Sequence, residues 1–94
     1  MIFSKDYSKL DLDIFTTIRK NTGFYKLGNI YKIKTPSKEF KVRLIDHRKI
    51  DKDYITEQLA QNDADCSRVD LIAMLERWYG KKCDDYVLLV LEKQ

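Results

Sequence analysis

Apolar and polar residues alternate along the first half of the chain and recur at helical spacing along the second. Ile14 to Arg19 reads as a strand, with Thr16, Thr17 and Ile18 supplying the β-branched residues that suit a pleated surface. Gly28-Asn29 then marks a turn, and Ile30 to Thr35 alternates as Ile-Tyr-Lys-Ile-Lys-Thr. Pro36-Ser37 ends that run before Phe40, Val42 and Leu44 alternate with Lys41 and Arg43, which predicts a hairpin with one apolar and one basic face. Thr56 is placed to cap a short helix through Glu57, Leu59 and Ala60 that closes at Asn62-Asp63. A stronger helix follows. Ser67 and Asp70 have the spacing of a capping box, and Leu71, Ile72, Leu75, Trp78 and Tyr79 keep helical period until Gly80. Tyr86 to Leu91 is apolar at every position, the pattern of a strand covered on both faces. Ahead of all this, Ile2 and Phe3 begin a short strand or cover one end of the core, and Tyr7, Leu10 and Leu12 fit a brief helical turn.

The predicted architecture is α+β: about five strands in a curled sheet that partly closes into a small barrel, with two helices flanking it and a cleft between helix and barrel. There is no internal repeat, low-complexity tract or linker, so residues 1–94 read as one domain. A composition of 44% hydrophobic and 35% charged residues, with one proline, excludes disordered and collagen-like classes. No apolar run approaches the length of a membrane span, and the opening MIFSKDYSKLDLD lacks a basic start followed by an apolar stretch, so the cytoplasm is the expected compartment. Cys66 and Cys83 have neither zinc-knuckle spacing nor the density of a disulfide scaffold and are expected reduced and half-buried. With His47 as the one histidine, no metal site and no cofactor is expected.

Charge changes this picture from fold to function. The net charge is only +3, yet residues 19–52 carry eleven basic against three acidic side chains, a local balance of +8, while residues 53–94 stand at −4. Such asymmetry within a small domain points to a basic face that meets polyphosphate. The competing reading is a solvated strand surface, because lysine also guards sheet edges against aggregation.

Several segments taken in order resemble an ASCH domain, a branch of the PUA-like superfamily of small β-barrels. Thr17-Ile18-Arg19 is similar to that family's T-x-R strand, and Tyr25-Lys26-Leu27-Gly28-Asn29 to its turn into the second strand. Phe40 to Asp46 resembles the next strand, Asp63-Ala64-Asp65 and Ser67 to Tyr79 the acidic turn and helix, and Tyr86 to Glu92 the final strand. The resemblance implies a cleft bordered by the T-x-R strand, the acidic turn and the helix, used to bind a nucleotide or RNA. In some members it also implies hydrolysis of N4-acetylcytidine by a Lys, a Thr and a carboxylate, and the resemblance carries Thr17, and Asp63 or Asp65, into two of those roles. The lysine position, three residues before the threonine, is Ile14, and Lys20 would have to approach from the other end of the strand.

The expected partner is therefore RNA or another single-stranded nucleic acid, with a nucleotide in the cleft, bound by a monomer that neither enters a membrane nor acts as an enzyme. Lys32, Lys34, Lys41 and Arg43 would position phosphates while Thr17, Arg19 and Asp65 line a base pocket, and Lys20, Tyr25 and Lys26 border them. Period-two alternation puts Thr17 and Arg19 on one strand face and Thr16 on the other. Each residue also has a plainer reading. Arg19 would pair internally with Asp65, Tyr31 would be core, Trp78 and Tyr79 would plug the core, His47 would face solvent at a strand end, and Cys66 would pack at the helix start. The other function classes are a small hydrolase, acting on acylated cytidine or RNA, and an adaptor whose basic strands meet an acidic protein surface.

Overall fold

The chain forms a four-stranded antiparallel sheet and two helices. The computed structural model describes residues 1–94. Strands β1 (Ile14–Lys20), β2 (Ile30–Lys34), β3 (Glu39–Ile50) and β4 (Tyr86–Lys93) lie in the order β1-β4-β3-β2. The last strand is thus interior to the sheet, between β1 and β3, which fits its uninterrupted apolar run: Tyr86, Leu89 and Leu91 are fully buried. They join Leu10, Ile33, Leu44 and Leu75 in one apolar core, where each such side chain contributes on the order of 1.5–3 kcal/mol by leaving water.

The predicted hairpin forms as β2 and β3, but β3 runs six residues beyond Leu44. A register shift between Leu44 and Asp46 bulges the strand at Ile45, after which Asp46 to Ile50 pair with Val90 to Tyr86 of β4. Asp46, His47, Arg48 and Lys49 are all exposed, so no alternation announces this half of the strand. His47 lies within β3 and not at its end.

The expected fifth strand does not form and the sheet does not close. Ile2 makes a single parallel bridge to Lys34, with Phe3 N–H donating to Lys34 O at 2.9 Å and the N-terminal ammonium to Lys32 O at 2.7 Å. Ser4, Lys5 and Asp6, all exposed, then carry the chain away into a single 3-10 turn, Ser8–Asp11. Three residues suffice to cover the outer edge of β2, but β1 and β2 remain unpaired at opposite ends of the sheet.

Helix α1 (Glu57–Ala64) starts as predicted, with Thr56 Oγ1 accepting from Leu59 N–H at 3.1 Å. It continues through Asn62-Asp63 and ends at Asp65, whose φ of 56° is the left-handed conformation that halts a helix. Helix α2 (Arg68–Tyr79) is capped by Ser67 Oγ, which accepts from Asp70 N–H at 3.1 Å, and ends at Gly80 with φ 94°. Leu71 and Leu75 face the core, whereas Trp78, expected inside, is 49% exposed.

Candidate functional site

Because β1 pairs only with β4, its other edge is open, and a cavity of about 310 Å³ lies along it. Thr17, Ile18 and Arg19 form its floor. One wall is the Ile2–Ser4 segment that also covers β2, and the other is the end of α1 with the last turns of α2, where Trp78 and Tyr79 supply aromatic surface. An apolar hollow with a few convergent polar groups is the usual form of a small-molecule site.

Arg19 is the notable cation of this hollow. No carboxylate lies within ion-pair distance of it, and its nearest protein acceptor is Ile2 O at 3.5 Å. Its guanidinium carbon sits 4.9 Å from the Phe3 ring centre, and its buried Nε has no hydrogen-bond partner. A buried donor without an acceptor costs free energy, and a guanidinium fork fits an anionic ligand in two-point fashion. The internal salt bridge expected with Asp65 does not exist. That carboxylate lies on the surface, where it accepts from Ser8 N–H at 2.8 Å and from the Ser8 hydroxyl, and these bonds hold it below the usual carboxylate range.

Deeper in the hollow, Lys9 and Asp63 form a buried ion pair at 3.3 Å, their side chains 4% and 5% exposed. Lys9 Nζ also donates to Thr16 O at 2.6 Å, and the Thr16 hydroxyl donates to Asp63 Oδ1 at 3.0 Å. The ammonium lies 5.2 and 5.5 Å from the Phe3 and Tyr7 ring centres, a further source of stabilisation for a desolvated cation. Burial nevertheless lowers the Lys9 pKa, against the pull of Asp63, and raises that of Asp63, against the pull of Lys9. Both groups are thereby brought nearer to exchanging a proton. Thr17 is buried beside them, yet its hydroxyl makes no hydrogen bond to either.

Of the residues expected at a nucleotide site, the hollow gathers Thr17, Arg19 and Asp63, and leaves out Asp65 and Lys20. Lys20 is exposed at the end of β1. Tyr25 and Lys26 border a separate hollow of about 230 Å³ together with His47. Lys32, Lys34, Lys41 and Arg43 project from the outer face of the hairpin, opposite Ile33, Val42 and Leu44, with Lys32 directly across from Lys41. Within that patch Lys32 pairs with Glu39, and Arg43 donates to Gly28 O at 3.2 Å. Ile14, at the lysine position of the hydrolase motif, is 49% exposed and outside the hollow.

Sequence reasoning missed Lys9, and the structure puts it at the centre of the site. The 3-10 turn that carries it offers no hydrophobic period to mark an inward side chain. Asp63 did have a signal. With α1 running to Ala64, residues Leu59, Ala60, Asp63 and Ala64 recur at helical spacing, a stripe whose one charged member must face inward. Cys66 and Cys83 are free and half-buried, and burial together with the Asp70 charge raises the Cys66 pKa, so the thiol at the start of α2 is not activated. No His, Cys, Asp and Glu side chains cluster in threes to hold a metal ion, and no helix is long and apolar enough to cross a membrane. No family model matches the chain, and no curated protein or solved structure does.

Proposed function

We propose that this protein binds RNA or another single-stranded nucleic acid as a monomer, seating one nucleotide in the hollow beside β1 while the backbone crosses the basic face of β2 and β3. The observation that carries the reading is Arg19, whose guanidinium has no carboxylate partner and whose buried Nε has no hydrogen-bond partner, in a hollow that also holds Thr17 and the aromatic side chains of Trp78 and Tyr79. Arg19 would meet a phosphate, and Trp78 or Tyr79 would stack on the base, an interaction contributing about 1–3 kcal/mol. The Ile2–Ser4 wall is hydrogen-bonded directly to β2, so a strand leaving the hollow meets Lys32 and Lys34 next. An ASCH-type, PUA-like ancestry is part of this proposal; the T-x-R residues at the floor of the hollow support it. The test is binding of labelled single-stranded RNA to wild type, to Arg19→Ala and to the variant with Lys32, Lys34, Lys41 and Arg43 reversed to Glu. Unchanged binding by both variants contradicts the proposal.

A second reading, hydrolysis of an acylated cytidine, is favoured by one observation: Lys9 brings to the hollow a lysine in place of the one missing at position 14, beside the Asp63 carboxylate and Thr17. It ranks below binding. A threonine nucleophile needs a base within hydrogen-bond reach, and Thr17 has none.

A further inference from the structure

The open edge of β1 carries backbone groups as well as side chains. Asp13 O accepts from Lys93 N–H at 2.8 Å and Asn21 N–H donates to Asp85 O at 2.9 Å, and the β1–β4 register between them is unbroken. In an antiparallel pair, residues alternate between exchanging both backbone bonds with the partner strand and pointing both groups away from it. Phe15, Thr17 and Arg19 therefore bond to β4, whereas Thr16 and Ile18 direct N–H and C=O outward. The Thr16 carbonyl confirms this parity, since it is taken by Lys9 Nζ at 2.6 Å from the outer side. Ile18 is different. It lines the hollow, it is 4% exposed, and no hydrogen bond within the protein reaches its N–H or its C=O. Nearly all buried backbone groups in folded proteins are paired, so an adjacent donor and acceptor left open toward a cavity mark a contact point for something that enters it.

We infer that the outward N–H and C=O of Ile18 read the edge of the nucleobase held in the hollow, donating to a ring or carbonyl acceptor and accepting from an adjacent N–H. This deepens the nucleotide reading and rests on it. A nucleobase fits better than an added peptide strand because strand addition uses a row of free backbone groups. Here the outward row is interrupted at Thr16, whose carbonyl Lys9 already takes, and of the outward-facing residues of β1 only Ile18 lines the hollow, Lys20 being exposed beyond it. The neighbouring side chains suit a planar, anion-bearing ligand: Arg19 for the phosphate and Trp78 and Tyr79 for the ring faces. Base identity would then be read by main-chain atoms that no substitution except proline removes.

The experiment follows amide resonances of the nitrogen-labelled protein during titration with each of the four ribonucleoside 5′-monophosphates. The Ile18 amide is expected among the most shifted resonances and its hydrogen exchange to slow at saturation. Ile18→Pro deletes this donor at a position where the ladder does not use it, which edge strands tolerate. It should weaken the preferred nucleotide about three- to tenfold, while Ile18→Val, keeping both groups, retains affinity. Nucleotide binding that leaves the Ile18 amide unmoved, or that a folded Ile18→Pro variant keeps intact, overturns this inference and spares the pocket. Binding of no nucleotide overturns the pocket reading and this one together. Should the proline variant fail to fold, the amide shifts of the wild type decide alone.

Discussion

Lys9 Nζ stands 3.3 Å from Asp63 Oδ1 in a part of the molecule where neither side chain is more than 5% exposed. The 3-10 turn supplies one charge and the inward stripe of α1 the other, so the pair, beside the Ser8–Asp65 bonds, ties the two segments together and to the edge of β1. A buried pair is costly to break because the survivor is left desolvated. Asp63→Ala should therefore lower stability by about 3–5 kcal/mol. The double variant Lys9→Met, Asp63→Leu removes both charges and should recover most of that loss. Urea unfolding of the three proteins checks both expectations, and a double variant as unstable as the single one contradicts them.

Alkaline stability depends on Tyr86. Burial, with Cys83 close by, pushes its phenol up to about 12, and its hydroxyl donates to Cys83 O at 3.2 Å. A folded pKa above the ordinary value means that the native state binds more protons between pH 10 and about 12. Stability is thus complete below pH 10 and lost as the pH rises through about 12. Phenolate absorbance recorded beside circular dichroism should show one tyrosine ionising only as the fold is lost. Ionisation of all six tyrosines before the dichroism changes would contradict this.

Acid stability has the opposite sign at Asp65. Its two bonds from Ser8 hold its pKa below the ordinary 3.8, so the contribution is present above that value and lost as the pH falls through the folded pKa. Asp65→Asn should flatten the acid limb of the stability curve without changing ligand binding, since Asp65 lies outside the hollow. A loss of nucleotide affinity in this variant would restore Asp65 to the site.

N4-Acetylcytidine should survive incubation with the protein. Positioned proton transfer contributes on the order of 10² to 10⁴ in rate, and Thr17 has no base positioned to provide it. Chromatography of the incubated nucleoside is the assay, with Thr17→Ala and Lys9→Met as controls. Cytidine release by wild type that both controls lose would reverse the order of the two functional readings.

What the sequence revealed and what it withheld have physical causes. The hairpin, both N-caps, Gly80 and the central β4 follow from local chemistry and period, which act within a few residues. The far half of β3 was illegible because pairing with β4, not its own alternation, holds Asp46 to Ile50 in a strand. Thr17 and Arg19 were legible as a shared face of one strand. Lys9 was not, because only the tertiary path from the N-terminus to the end of α1 makes it a buried partner. Trp78 matched the core spacing of α2 but falls in the last turn, which borders the hollow instead of the sheet.

The basic face should behave as a salt-dependent surface. Affinity for single-stranded RNA is expected to fall with a log–log slope of about −0.7 for each phosphate contact. Reversing Lys32, Lys34, Lys41 and Arg43 should reduce that slope while leaving mononucleotide binding in place, since none of the four lines the hollow. An unchanged slope would mean that the hairpin face meets solvent only.

Trp78, the single tryptophan, lies at the hollow and is half exposed, so its fluorescence reports directly on occupancy. Titration with ribonucleoside 5′-monophosphates should give saturable quenching by wild type, and Arg19→Ala should abolish or severely weaken it while keeping a wild-type melting transition. Fluorescence that no nucleotide alters, or a titration that Arg19→Ala leaves unchanged, would contradict a nucleotide site built on the open edge of β1.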